Sequence, residues 1–270
     1  MNRLARTCLL LTTIAVPALP LAAQHEGHMM PQKADPIAAA VAAPSRSATN
    51  TARDKYRHPA ETLAFFGVTP DQTVAEYSPG GGWYTEILAP LLREKGTLYA
   101  LQPSGRYLDG YRKFLATKPD VYDKVKLVPY PEQTGAIPAG SVDTLLTFRN
   151  VHNMVMAGTE AATFKAFYDL LKPGGTLGIV DHRLPEGRDS ALEKKSGYLK
   201  TSTVRGLAEA AGFEYVGASE INANPSDTAD WPKGVWTLPP TLSNGDADKA
   251  KYLAIGESDR MTLKFRKPAG

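Results

Sequence analysis

A glycine-rich loop after a short apolar run is the feature that most constrains the fold of this chain. The run at residues 73–76 ends in Glu76, three consecutive glycines stand at residues 80–82, and a helical pattern covers residues 83–92. Glycine is required where the backbone passes close to a ligand, or where φ is positive and a side chain would clash. This order of strand, loop and helix predicts the opening of a nucleotide-binding α/β unit.

Two common glycine-loop motifs do not fit this stretch. Thr85 occupies the position of the third glycine of the dinucleotide fingerprint G-x-G-x-x-G, and the lysine of a phosphate-binding P-loop is missing. A glycine turn that binds no ligand is the alternative at this point.

The rest of the chain alternates apolar strands with helical patterns, without an internal repeat. The predicted strands cover residues 73–76, 96–101, 125–128, 141–148, 175–180, 213–219 and 260–266. This alternation predicts an α/β fold with a mostly parallel sheet, right-handed crossovers and helices on both faces. The last two strands have no helical crossover between them and suit an antiparallel pair at the sheet edge.

The N-terminus has the three parts of a secretory signal peptide. Arg3 and Arg6 precede an apolar run at residues 8–18, and Leu21-Ala22-Ala23 forms a small-residue cleavage site. Because the run is too short to span a membrane, we expect residues 1–23 to be removed and the mature protein to be periplasmic or secreted, without stable membrane insertion. An uncleaved anchor is the alternative.

Charge and cysteine content limit the chemistry of the mature chain. The formal net charge is +3, and removal of Arg3 and Arg6 subtracts two of these charges, so binding to nucleic acid is not expected. The single cysteine, Cys8, lies in the predicted signal peptide. The mature chain is therefore expected to have no disulfide, no thiolate nucleophile and no cysteine metal site.

Two stretches have the composition of irregular structure. Residues 24–47 are rich in Ala, Pro, Gln and Met, which predicts a disordered tether before a domain at residues 48–270. His25 and His28 in the tether, with the methionines beside them, either form a small copper- or zinc-binding tract or are incidental.

The second stretch, residues 224–250, contains many Pro, Asp and Gly residues and predicts a surface insertion. Its tryptophans, Trp231 and Trp236, either pack within the insertion or form a lid over a substrate.

Three motifs, in this order, resemble those of class I S-adenosylmethionine methyltransferases. They are Glu76-x-Ser78-x-Gly80-x-Gly82, Ser141-Val142-Asp143, and Leu171-Lys172-Pro173-Gly174-Gly175. Residues 79–86, with Glu257-Ser258-Asp259-Arg260-Met261, also resemble a subfamily of exported bacterial proteins described as predicted methyltransferases. The resemblance implies a Rossmann-like fold with a seven-stranded, mostly parallel sheet and a C-terminal antiparallel hairpin. It implies S-adenosylmethionine as cofactor and methyl transfer to a small molecule.

The resemblance also assigns the cofactor contacts. The backbone of Ser78, Gly80 and Gly82 is expected to approach the methionine part of the cofactor, and Glu76 to orient its amino group. Asn150, after the fourth strand, is expected to contact the cofactor as well.

This sequence departs from the family pattern at the end of the second strand. Gln102 stands where the family has an acidic residue that binds the ribose hydroxyls, and a neutral amide lacks the strength of a charged acceptor. Export also separates the protein from the cytoplasmic cofactor supply. A non-catalytic or repurposed fold that binds a small metabolite or a metal in the periplasm is therefore the alternative function.

Polar residues near the carboxyl ends of the fourth and fifth strands are the catalytic candidates, because parallel sheets bind ligands at that edge. His152 or His182 is the expected general base, since imidazole titrates near neutral pH. Arg149 or Arg183 is expected to hold an anionic substrate through a forked contact. The alternative is that these side chains only cap strands and helices.

Two other chemistries are less well supported by the sequence. Asp181, His182 and His152 could hold a metal together with Glu76, but their spacing matches no known ligand motif, so no metal site is assigned. Hydrolysis by a Ser-His-Asp triad is disfavoured because the G-x-S-x-G motif is missing.

Overall fold

The computed structural model describes residues 35–270. The strands are β1 (Thr73–Tyr77), β2 (Thr97–Pro103), β3 (Lys126–Tyr130), β4 (Val142–Phe148), β5 (Leu171–Leu184), β6 (Leu199–Lys200), β7 (Glu214–Ser219) and β8 (Arg260–Arg266). The helices are α1 (Pro36–Val41), α2 (Ala48–Thr51), α3 (Asp54–Arg57), α4 (Pro59–Phe66), α5 (Thr85–Leu92), α6 (Arg106–Ala116), α7 (Pro119–Tyr122), α8 (Val151–Ala157), α9 (Glu160–Leu170), α10 (Thr201–Ala210) and α11 (Lys249–Ile255). Within residues 35–270, no helix is both long and apolar enough to cross a membrane.

The sheet confirms the predicted topology. Its strand order is β3-β2-β1-β4-β5-β8-β7, and the short strand β6 pairs with β5 outside this path. The first five strands pair in parallel, whereas β8 runs antiparallel to both β5 and β7. The carboxyl ends of β1, β2 and β4 therefore lie side by side at one edge, where ligands bind in folds of this kind.

Apolar side chains on consecutive strand residues fill two cores. Val74 packs in one core and Ala75 in the other, and Leu145 and Leu146 divide in the same way. Because successive side chains of a strand point to opposite faces, the two cores lie on opposite faces of the sheet. Helices α4 and α5 contribute to one core and α9 and α10 to the other, which confirms helices on both faces.

The ordered domain begins earlier than the sequence predicted. Helix α1 starts after Asp35, whose side chain accepts a hydrogen bond from the backbone N–H of Ile37 at 2.9 Å, and Pro36 occupies its first turn. Ile37 and Ala40 are buried in the same core as α5. The prediction of a disordered tether is therefore wrong for residues 35–47, because local composition did not reveal these two buried side chains.

Polar contacts also fix the segment that follows α1. Arg46 donates two hydrogen bonds, of 2.6 and 2.7 Å, to the carboxylate of Asp54. The backbone N–H of Ser47 donates to Glu86 of α5 at 3.0 Å. The predicted signal peptide and the His25/His28 tract lie outside the described residues.

The stretch 224–250 is irregular, as predicted, but several of its side chains pack in a third, smaller core. Trp231 and Trp236 pack with Leu184, Tyr198 and Val235. The indole N–H of Trp231 also donates to Asp227 at 2.6 Å. These contacts favour packing over a lid for both tryptophans.

Candidate functional site

A cavity of about 530 Å³ lies at the carboxyl ends of β1, β2 and β4. Its wall is formed by the loop after β1, the end of β2, the residues after β4 and the segment that contains α2 and α3. Glu76, Ser78, Gly80, Gln102, Arg149 and Asn150, all predicted as site residues, line it. The sheet edge chosen from the sequence is therefore where the cavity lies.

The loop after β1 offers bare backbone to this cavity. Ser78 and Gly80 have positive φ values of 51° and 59°, which turn the chain sharply after the strand. A Cβ atom added to Gly80 or Gly81 would meet no atom within 4 Å. The loop is thus free of neighbouring side chains where a ligand could approach.

Gly82 has a different role from the one predicted. It does not line the cavity, and a Cβ atom there would lie 2.3 Å from the ring of Phe114. Its φ of 80° is also unfavourable for any other residue. Gly82 is therefore required for the packing of α6 against the loop.

Glu76 is a buried carboxylate in the cavity wall, only 2% exposed. It accepts a hydrogen bond of 2.7 Å from the hydroxyl of Thr85, which is itself 2.9 Å from the hydroxyl of Tyr111. Burial raises the pKa of Glu76 to about 7, because the hydrogen bond from Thr85 only partly offsets the lost hydration. Among residues 35–270, no cation forms an ion pair with it.

Gln102, at the end of β2, is tied to the glycine loop. Its Oε1 accepts the backbone N–H of Gly80 at 3.1 Å, and the side chain is 1% exposed. This contact leaves the amide Nε2 as the donor that Gln102 can offer to a ligand.

Asn150 joins β4 to the loop after β1. Its Nδ2 lies 3.2 Å from the carbonyl oxygen of Tyr77 and 3.1 Å from that of Phe148. The side chain therefore fixes the rim of the cavity as well as lining it.

The structure contradicts the prediction that His152 or His182 faces the ligand site. Neither lines the cavity, and both are at least nine-tenths buried. His152 Nδ1 lies 2.8 Å from Asp181, and His182 Nδ1 lies 2.5 Å from the hydroxyl of Ser258. Burial, followed by the charges of His152 and Arg149, lowers the pKa of His182 well below its usual value, so this imidazole is neutral.

Two differences from the predicted elements explain this burial. His152 lies on helix α8, where a loop was expected. Strand β5 continues to Leu184, so Asp181 and His182 pair with Met261 and Arg260 of β8 instead of following the strand end.

The histidine cluster, His152, Asp181 and His182, brings possible ligand atoms within 4.8 Å of one another. Glu76, the fourth residue considered for a metal, is not part of this group. Arg149, Arg260 and Arg57 act on His182 as positive charges, and positive charges oppose a cation at this position. We assign no metal to the cluster.

The arginine wall, Arg53, Arg57 and Arg149, lines one side of the cavity. Only Arg149 was predicted, and its φ of 62° is uncommon for a residue with a side chain. Arg183 is absent from the lining and instead pairs with Asp259 and Glu220.

Arg53 and Arg57 were not predicted as site residues, although the sequence holds one signal for them. They are four residues apart, which places both side chains on one face of a helical segment. Both contact Glu257, the first residue of a motif that the resemblance to exported proteins had marked.

Several solved structures share this architecture. An S-adenosylmethionine-dependent methyltransferase from Aquifex aeolicus aligns over 87% of this chain and 100% of its own, with 17% identity and a TM-score of 0.56. A protein from Galdieria sulphuraria assigned as a sarcosine dimethylglycine methyltransferase aligns over 82% of this chain and 86% of its own, with 15% identity and a TM-score of 0.56. The chain has the class I methyltransferase fold.

The methyltransferase fold is also shared by the [4+2]-cyclase SpnF, which aligns over 85% of this chain and 86% of its own, with 15% identity and a TM-score of 0.54. No protein-family model matches this chain, and no curated protein matches it. At these identities the similarity establishes the fold alone.

Proposed function

We propose that this protein is an S-adenosylmethionine-dependent methyltransferase that acts on a small molecule. The observation that supports this most is Glu76, a buried carboxylate that forms no ion pair within residues 35–270 and lies beside an open glycine loop in a cavity of about 530 Å³. The fold agrees with this proposal, since one similar structure is an S-adenosylmethionine-dependent methyltransferase and another is assigned as a methyltransferase.

The charges of the cavity fit the amino-acid end of the cofactor. Glu76 offers an acceptor for an ammonium group, while Arg53 and Arg57 of the arginine wall offer donors for a carboxylate. The backbone at Gly80 and Gly81 leaves room for the chain that joins these groups to the sulfur. The residues present therefore fit S-adenosylmethionine.

The ribose contact is weaker than in the family pattern. Gln102 can donate from Nε2 to a hydroxyl, but it brings no charge. We propose that affinity relies more on the amino-acid end than on the ribose.

The contribution of the protein to the reaction is orientation. S-adenosylmethionine held by these residues would supply an electrophilic methyl group. The acceptor's lone pair would form the new bond to the methyl carbon, and the electron pair of the broken carbon–sulfur bond would remain on sulfur. Holding the two partners in line and excluding water can supply much of the rate acceleration. With both histidines buried away from the cavity, neither acts as the base, and the acceptor is proposed to enter with its nucleophilic lone pair available.

A second candidate function is supported by two observations. Gln102 replaces the charged ribose contact, and one similar structure belongs to a [4+2]-cyclase, so this fold does not by itself determine the reaction. The alternative is a fold that binds a small metabolite without methyl transfer.

Calorimetric titration of residues 35–270 and of the full chain with S-adenosylmethionine and its demethylated product, S-adenosylhomocysteine, tests the proposal. We expect binding of both compounds at micromolar to millimolar concentrations. If neither compound binds at millimolar concentration, the methyltransferase proposal is wrong.

A matched pair of glycine variants locates the site. Gly81 and Gly187 both have open space at the Cβ position without a positive φ, but only Gly81 lines the cavity. Gly81→Leu is expected to weaken cofactor binding at least tenfold, whereas Gly187→Leu should leave it unchanged. Equal affinities would place the ligand elsewhere.

We also propose that the protein is exported, which is supported by the signal-peptide pattern of residues 1–23. Fractionation of cells that express the full chain, with N-terminal sequencing of the product, tests this. A cytoplasmic product that retains Met1 would contradict export.

A further inference from the structure

The positive charge of the arginine wall exceeds the negative charge of the carboxylates of residues 35–270 that pair with it. Glu257 forms ion pairs with Arg53 at 2.5 Å and Arg57 at 3.1 Å, and it also pairs with Arg260. A single carboxylate therefore pairs with three guanidinium groups. Arg149, a fourth, forms no ion pair within residues 35–270.

Arg57 is the most confined member of this wall. It is 4% exposed, and its guanidinium lies over the ring of Trp83 at 4.6 Å. While its Nε donates to Glu257, its buried Nη2 finds no hydrogen-bond partner in the part of the chain that the structure describes, and the same holds for Nη2 of Arg53. A buried donor without an acceptor is costly, so an acceptor within reach of either group would be favoured.

The other nearby carboxylate does not balance Arg149. Asp181 raises the pKa of Arg149, but its oxygens accept hydrogen bonds from the backbone N–H groups of His152 and His182 and from His152 Nδ1. Burial and the charge of Arg260 together lower the pKa of Arg149 to about 10, so its guanidinium is charged at neutral pH.

The cofactor brings only one carboxylate to this wall. If that carboxylate binds Arg53 or Arg57, positive charge remains at Arg149, which follows β4 on the same wall. Beside it, Tyr84 and Phe148 stack with ring centroids 3.5 Å apart and form an aromatic surface.

We propose that Arg149 binds an oxyanion, a carboxylate or phosphate, of the methyl acceptor, which makes the acceptor a small acidic molecule. This inference rests on the proposed function for the identity of the reaction, but the oxyanion site itself does not. Aromatic acids suit it best, because their rings can pack against Tyr84 and Phe148.

Titration of the protein saturated with S-adenosylhomocysteine tests the proposal with benzoate, inorganic phosphate and the neutral analogue benzamide. We expect benzoate or phosphate to bind and benzamide to bind at least tenfold more weakly. Arg149→Gln should lose at least tenfold in affinity for the oxyanion, with S-adenosylhomocysteine affinity changed by less than about threefold. Arg149→Lys should restore part of the loss.

Arg183→Gln is the matched control, because Arg183 is paired outside the cavity and should not affect oxyanion binding. Unchanged oxyanion affinity in Arg149→Gln would overturn the proposal. Competition between the oxyanion and S-adenosylhomocysteine would also overturn it, since the arginine wall would then bind only the cofactor.

Oxyanion binding can be tested independently of the proposed methyltransferase function. If S-adenosylhomocysteine does not bind, the same titrations are made on the protein alone. Oxyanion binding that Arg149→Gln abolishes would then support an acidic ligand, although the methyltransferase proposal would be wrong. No oxyanion binding in either state overturns the inference.

Discussion

Two polar clusters lie near the carboxyl ends of neighbouring strands, and they differ in what satisfies their charges. In the histidine cluster, Asp181 accepts three hydrogen bonds from the protein and its neighbours are buried. In the cavity, neither Glu76 nor Arg149 forms an ion pair with any side chain of residues 35–270. A cluster that completes its own contacts stabilises the fold, whereas one that leaves them open is suited to a ligand.

The largest expected effect is the loss of stability on removing the carboxylate of the histidine cluster. Asp181→Ala removes an acceptor that serves His152 and His182, and we expect it to lower the free energy of unfolding by about 3–5 kcal/mol. Denaturant unfolding at pH 7 measures this.

Asp169→Ala is the control, because the pair of Asp169 with Lys165 is exposed and should contribute less than about 1 kcal/mol. If Asp181→Ala changed cofactor affinity but not stability, the distinction between the two clusters would fail.

Glu76→Gln should weaken ligand binding without lowering stability, which is the reverse of the effect expected for Asp181→Ala. Loss of the carboxylate is expected to weaken S-adenosylhomocysteine binding by about 2 kcal/mol, since hydrogen bonds to charged groups contribute about that much. Isothermal titration of the variant measures it, with Glu86→Gln, buried away from the cavity, as the control.

Stability should not fall in Glu76→Gln. The folded-state pKa of about 7 lies above the ordinary 4.5, so the stability that protonated Glu76 contributes is fully present below pH 4.5 and is lost as the pH rises to about 7. Because glutamine does not ionise, Glu76→Gln should not lose stability over this pH range. A variant that is less stable than the wild type at pH 8 would contradict the burial argument.

Cofactor affinity should depend on pH through the same group. With a pKa of about 7, only about a tenth of Glu76 is ionised at pH 6, so affinity for the ammonium group should fall about tenfold between pH 8 and pH 6. Titrations in two buffers of different ionisation enthalpy should show proton release at pH 6. A flat profile, with no difference from Glu76→Gln, would mean that Glu76 does not contact the ligand.

The smallest effect is expected at the ribose position. Gln102→Glu keeps the oxygen that accepts from Gly80 and adds charge, so we expect cofactor affinity to rise about fivefold, or about 1 kcal/mol. Competition binding measures this gain, with Gln72→Glu, which lies outside the cavity, as the control. Weaker binding in Gln102→Glu would show that Gln102 does not face the ribose.

Local patterns were sufficient to predict the sheet and its open edge. Apolar strands, the glycine loop and the late strand pair are encoded over a few residues each, and β7 and β8 lie within a residue of their predicted bounds. The site was predicted in part: Glu76, Gln102 and Arg149 line the cavity, while Gly82 serves packing.

The sequence by itself determined the order of strands and helices, the turn after β1 and the edge at which ligands enter, because these depend on short-range periodicity and backbone preference. Tertiary structure decided which polar side chains face the cavity. Helix α8 and the extension of β5 bury His152 and His182, and Glu257 reaches Arg53 and Arg57 from about 200 residues away in the chain. Such contacts depend on how distant segments pack, so no local pattern specifies them.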